Sequence, residues 1–267
     1  YLGGSNLLGD LGGSRFIGNR GIFDYNIRAN RLALGTGLTM NSGAFSVGLN
    51  VLGTRLVSND AYSKQKFQVA RNLSVRTNLV EVSLLTEIRP FSRSAGFNRF
   101  YVYSGLGWIY YKPMSKLNDE WYDLRKGGTE GQYLENGPGP YSEIDIIIPY
   151  GLGYKFRLAK STSLLLDLGF RKTFTDYLDD VSTVYADPAQ LNAAQPDIPV
   201  SQLADKSDIP NTNGYQRGNP LKNDSYIIIG LKFEYILGGK SGDGCYYNRN
   251  PPKTRSTRIN QRKMFTR

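Results

Sequence analysis

Histidine is absent from this sequence of 267 residues. Without an imidazole, no Ser-His-Asp or Asp-His arrangement can form. Carboxylates could still move protons, but no substrate cleft is legible among them. The expectation is a protein that is not an enzyme and takes no cofactor. Cysteine is nearly absent too: Cys245 stands alone, which rules out an internal disulfide framework and leaves a free thiol in a tail. No apolar run reaches the roughly 18 residues of a transmembrane helix. The chain opens on Tyr1 with no secretory leader, which an exported protein needs, so a mature or trimmed form is expected.

What the sequence does contain is alternation. From Ile144 to Leu158, one set of positions reads Ile144, Ile146, Ile148, Tyr150, Leu152, Tyr154, Phe156 and Leu158. The interleaved set reads Asp145, Ile147, Pro149, Gly151, Gly153, Lys155 and Arg157. Successive side chains of a strand point to opposite faces, so one face is a wall of large apolar groups and the other is mostly small or charged. A strand facing lipid on one side and a packed polar interior on the other accounts for both. The pattern recurs at Ser163–Thr173, Ile227–Leu237, Val80–Arg89, Phe100–Tyr110, Leu32–Met40 and Phe23–Arg28, with a weaker glycine-rich version at Tyr1–Leu11. Short links at 29–31, 90–99 and 159–162 alternate with long ones at 41–78, 113–142 and 177–224, as in membrane barrels with short periplasmic turns and long outer loops. The 19 Tyr and 12 Phe suit interfacial girdles. The expected fold is all-β: an eight-stranded antiparallel transmembrane β-barrel over 1–237, with a side-chain-filled polar interior and long loops on one side.

Such a lumen would carry Asp24, Glu81, Glu87, Asp145, Asp167 and Glu234 against Arg28, Arg89, Lys155, Arg157, Arg171 and Lys232. An eight-stranded barrel is only wide enough to be filled by side chains, and charges removed from water need partners. A cross-linked ionic core is expected, and no solute channel. Glycines at 105, 107, 151, 153, 169 and 230 would make room for neighbouring Arg and Tyr. Asp176, Asp179 and Asp180 could hold calcium, which takes several carboxylates, but their spacing is not that of an EF-hand loop. Loop capping explains them more simply. Trp121 and Tyr122 fit interfacial anchoring better than a ligand platform.

The net charge of +10 is uneven. The segment 238–267 carries eight basic residues against Asp243 alone and shows no apolar periodicity. Such a tail serves as an interaction arm or a solvated extension. Nucleic acid is not an expected partner; an acidic protein surface or lipid phosphate is.

Several blocks of sequence resemble one group. They are Gly4-Ser-Asn6 with Gly9-Asp10, then Arg71-Asn-Leu-Ser-Val-Arg76, Glu120-Trp-Tyr-Asp-Leu124 and Gly128-Thr-Glu-Gly-Gln132. Arg171-Lys-Thr-Phe-Thr-Asp-Tyr-Leu-Asp-Asp-Val-Ser182 follows with Tyr185, then Gln216-Arg-Gly-Asn219 and Asp224-Ser-Tyr226. In this order they resemble the PorG-like outer-membrane barrels of the type IX secretion system of Bacteroidetes, whose systems export proteins and support gliding in some species. The resemblance implies a noncatalytic outer-membrane anchor for the periplasmic ring, built from a lipoprotein and its ring partner (PorK- and PorN-like). Contacts with other secretion-system proteins and with outer-membrane lipids follow from the same resemblance. The tail and the polar stretch 188–213 match no block. If the short turns face the periplasm, the tail emerges there, and Arg249, Lys253, Arg255, Arg258, Arg262 and Lys263 would engage an acidic groove on the ring. Two other readings stay open: a surface barrel grasping an external ligand or adhesin with its loops, and a soluble lipocalin-like barrel with the apolar face turned inward.

Overall fold

Alternation of large apolar with small or charged residues leaves each segment one face for the interior and one for the outside, so the segments can bury their polar faces only by curling together. A computed structural model of the chain describes residues 1–12, 25–90, 99–159 and 161–237. Its strands are β1 (Leu2–Leu8), β2 (Arg31–Ser42), β3 (Phe45–Asn59), β4 (Ser74–Ile88), β5 (Phe100–Leu117), β6 (Glu120–Asp123), β7 (Ile144–Arg157), β8 (Thr162–Thr173) and β9 (Ser225–Tyr235). Short helices α1 (Lys66–Arg71), α2 (Leu124–Gly127), α3 (Pro188–Ala194) and α4 (Val200–Ala204) lie in the connections. The sheet order is β4-β3-β2-β1-β9-β8-β7-β5-β6, and β4 also pairs with β5, which closes the ring. All pairings are antiparallel. β6 pairs only with the far end of β5, so eight strands form the wall of the barrel.

The expected strand count holds, but two assignments are corrected. Phe23–Arg28 is not a barrel strand. Phe23 and Asp24 lie outside the described residues, Ile27–Ala29 is a 3-10 turn, and the Asn26 side chain accepts from the Arg28 N–H to start it. β1 has no edge left for another strand, because β2 and β9 occupy both its sides. The missing strand is β3, inside the segment expected to be a long link. It follows β2 through Gly43 and Ala44, with Gly43 at φ 57° in the left-handed region that favours glycine. With β3 in place, the strand ends that border the long connections 9–30, 60–73, 118–143 and 174–224 all lie at one end of the barrel. The strand ends that border 43–44, 89–99 and 158–161, and the end of β9, lie at the other.

The outer wall is apolar in rows. Leu38, Leu49, Leu84 and Leu106 pair across four strands, and Val51, Val82, Trp108 and Ile146 form the next row. Every one of these side chains is exposed. On β3 the apolar outward positions run from Phe45 to Val51 and end at Gly53, close to the roughly 9–11 residues of a tilted membrane strand. The inverted, lipocalin-like arrangement is therefore excluded: Ile146 and Leu166 face outward and exposed, while Asp167 and Arg171 are buried.

Inside, apolar and ionic groups share the barrel. Leu52, Leu56, Leu79, Ile109, Ile147 and Ile228 form an apolar cluster drawn from five strands. The ionic layer overlaps it: Glu81 is in register with Leu52 and Ile109, and Arg171 is in register with Tyr226, nearer the long loops than Ile228.

Candidate functional site

The ionic layer centres on two carboxylates. Asp167 accepts hydrogen bonds from the Tyr101 and Tyr103 hydroxyls at 2.9 and 3.0 Å and pairs with Lys232 at 3.0 Å. Glu81 pairs with Arg171 at 3.1 Å and accepts from Tyr226 (2.8 Å) and Ser83 (3.0 Å). Lys232 also faces Glu87 at 3.7 Å, and Lys155 meets Glu234 at 2.6 Å. Gly151 and Gly153 leave the space that the Tyr103 and Tyr101 rings occupy; a Cβ at either glycine would collide with them. The lumen is thus crossed by side chains from β4, β5, β8 and β9 rather than left open.

Other expected members of the network stand at its margins. Arg89 donates to the Gly43 carbonyl at 2.7 Å and the Ser46 hydroxyl at 3.2 Å, tying the β2–β3 turn. Asp145 accepts from the Phe174 N–H at 2.7 Å, and Arg157 donates to the Ala159 carbonyl at 3.3 Å. Arg28 is a correction: it sits exposed in the 3-10 turn, outside the lumen, because its segment is not a strand. Asp24 lies outside the described residues, as do Arg249, Lys253, Arg255, Arg258, Arg262 and Lys263 of the tail.

The densest polar construction lies under the long loops, and no residue pattern within one loop foretells it. Arg217 is buried, with Nη1 at 2.8 Å from Glu130 Oε1 and 2.5 Å from the Asp180 carbonyl, Nε at 3.2 Å from the Ala204 carbonyl, and Nη2 at 3.7 Å from Asp180 Oδ2. Glu130 in turn accepts from the N–H groups of Ser182 and Thr183 and from the Thr183 hydroxyl. Two glycines at positive φ, Gly128 and Gly131, turn the chain around it. Arg71 forks onto Asp60 at 2.7 and 2.8 Å, and donates to the Arg217 carbonyl (2.5 Å) and the Asp10 carbonyl (3.0 Å). Asn72, at φ 58°, ends α1 in the left-handed conformation just after Arg71. Two guanidinium groups thus cross-link all four long connections into one cap.

The three aspartates expected as loop caps or calcium ligands divide their work. Asp180, at φ 63°, turns to Arg217 and accepts from Thr129 (2.5 Å) and Tyr141 (2.6 Å). Asp179 accepts from the N–H groups of Asp10, Leu11 and Val181. Asp176 lines a cavity of about 380 Å³ with Ser182 and Tyr177. Among the described residues no group of three or more Asp, Glu, Cys or His is arranged to hold a metal ion. Backbone N–H groups take up Asp179, and Arg217 faces Asp180.

Burial raises the carboxyls of Asp10, Asp176, Asp179 and Asp224 above the ordinary range; repulsion from neighbouring aspartates adds to it at Asp176, Asp179 and Asp224, and repulsion from Glu130 at Asp10. Both oxygens of Asp176, and one each of Asp10 and Asp224, are buried without a hydrogen bond. Burial also pushes Asp180 up to about 7, even with Arg217 pulling it down. A carboxyl raised in the folded state contributes stability that is complete below its unfolded value and is lost as pH rises through the folded one. The cap should accordingly tighten in mild acid. Hydrogen exchange of the 176–183 amides, corrected for intrinsic rates, is expected to be slower at about pH 5.5 than at about pH 8, with the Asp180 share of the change levelling off once pH passes about 7. Equal protection at both would contradict the assignment.

Sequence reasoning named Asp176, Asp179 and Asp180 but missed Asp10, Asp60, Arg71, Glu130, Arg217 and Asp224 as a constellation. A signal existed for most of them: Asp10, Arg71, Glu130, Arg217 and Asp224 all fall in the blocks that carry the resemblance. Those blocks are scattered from Gly4 to Tyr226, and the cap is where they meet.

No curated protein matches the chain. The crystal structure of Acinetobacter baumannii CarO2 aligns over 88% of this chain and 97% of its own, at 11% identity and a TM-score of 0.33. The closed strand order, not this likeness, makes the chain a barrel. A family model described as a domain of unknown function (DUF6089) matches residues 2–192. That stretch runs from β1 into α3 and takes in Arg71, Glu130 and the Asp176–Asp180 segment. With well over half its length matched, the chain belongs to the DUF6089 family.

Proposed function

We propose that this protein is a noncatalytic anchor in the outer membrane of a Gram-negative bacterium. Its short-turn end would face the periplasm and hold a periplasmic assembly of the type IX secretion kind. One observation carries the reading: a closed barrel with an exposed apolar belt has its lumen crossed by ion pairs and its long-loop end locked by a buried cap. A barrel so filled has little to offer a passing solute, and its remaining asset is a firm hold on the membrane. The resemblance of the sequence blocks to PorG-like proteins supports the finer part. On that reading the partners are the ring lipoprotein and its ring partner, other secretion-system proteins and outer-membrane lipids.

The chain leaves β9 at the short-turn end, so a tail beginning at Gly238 starts on the side where a periplasmic partner would stand. Rim charges of this kind chiefly speed and orient association. Deleting 240–267 while leaving the barrel intact should sharply reduce ring recovery in a pull-down from detergent, and high salt should reduce it in the full chain. Undiminished recovery by the truncated chain would sink the tail as the contact. A second reading, a surface barrel that binds an external ligand, is favoured by the cavity beside Asp176 at the long-loop end. Copurification separates the two: a periplasmic complex supports the first, an extracellular partner the second.

A further inference from the structure

The belt is interrupted at one place. Gly53 faces outward between Leu34 of β2 and Val80 of β4, and a Cβ built there would meet nothing within 4 Å. A notch of about 340 Å³ results, floored by Leu32, Leu34 and Gly53 and closed at its upper end by Arg31, Arg55 and Asn78. Arg55 stands two residues above Gly53 on the same face and donates from Nε to Asn78 Oδ1 at 3.1 Å. Arg31 donates from Nη1 to the Arg28 and Asn30 carbonyls at 3.1 and 2.7 Å. One step further along β4, the Arg76 guanidinium lies 3.6 Å above the centre of the Trp121 ring. Among the described residues none of these arginines forms an ion pair, whereas Lys112 on the neighbouring strand pairs with Asp123.

Resting on the membrane reading above, we infer that this notch holds one phosphate-bearing lipid of the long-loop leaflet. An acyl chain fills the space left by Gly53 and continues the apolar belt. The phosphate lies between Arg55 and Arg31, where the geometry offers unpaired guanidinium N–H groups and no competing carboxylate. Charge and shape select together: the arginines demand an anion, and the notch demands that the anion carry a chain.

The test uses the full chain in phosphatidylcholine nanodiscs, titrated with phosphatidylglycerol and read by native mass spectrometry of retained lipid. Wild type should hold phosphatidylglycerol in preference to phosphatidylcholine. Arg55→Gln should weaken it about fivefold and Arg31→Gln with Arg55→Gln by about as much again, while Arg55→Lys keeps most of the binding. Gly53→Leu leaves every charge in place but fills the notch, and should also release the lipid. Equal retention by wild type and the double variant overturns the site. So does free inorganic phosphate competing fully while Gly53→Leu has no effect, because the ligand is then a free anion. A chain that never enters the bilayer overturns the membrane reading itself, which the insertion step reports before any lipid is added.

Discussion

Replacing Arg217 by alanine is expected to cost about 3–5 kcal/mol locally, because it strands two carboxylates in the interior. Glu130 and Asp180 are wholly buried in their side chains, and Arg217 is the guanidinium that meets both. A buried ion pair is weak evidence of net stability, but breaking one from a single side leaves an uncompensated charge. The effect should be confined to the cap. Limited proteolysis is expected to cut within 174–224 in the variant and not in the wild type, while the barrel keeps its resistance to unfolding in detergent. Arg217→Lys should rescue little, since an ammonium cannot reach Glu130, the Ala204 carbonyl and the Asp180 carbonyl from one planar fork. If the alanine variant resists cleavage as well as wild type does, the cap is held by something other than these contacts.

Placing an arginine at Leu84 is the second large effect. Leu84 pairs with Leu49 and Leu106 and lies in the middle of an exposed apolar row. In a bilayer, a cation near the midplane of a barrel's lipid face costs roughly 2–4 kcal/mol, falling toward zero at the interfaces. Leu84→Arg should therefore destabilise the barrel in denaturant titrations from vesicles. An arginine at Ile88, on the same outward face at the short-turn end of β4, should cost far less. Depth dependence is the decisive feature. If both substitutions cost the same small amount, the belt does not face acyl chains, and the outer-membrane reading goes with it.

The barrel was more legible than the cap for a physical reason. Strand alternation is a local property, written into each segment by the requirement that two faces meet two environments. β5, β7, β8 and β9 could be read residue by residue, and so could the inward charges Glu81, Asp167, Arg171 and Lys232. β3 was harder because Gly53 and Arg55 break its apolar face partway up, and the break is the notch itself. The opposite error occurred at Phe23–Arg28, where a few alternating residues mimic a strand that has no free sheet edge to join.

Alternation alone thus sufficed for the class of fold, the outward greasy face and the filled lumen, whereas the count of eight strands rested on two offsetting assignments, Phe23–Arg28 counted and β3 overlooked. Alternation could not yield the partner of any particular charge. Arg217 meets Glu130 across 87 positions of chain and Arg171 meets Glu81 across 90, and such pairings exist only once closure of the ring fixes register. The folded barrel alone decided that four separate loops interlock through two arginines, and that a single glycine on β3 opens the apolar outer wall.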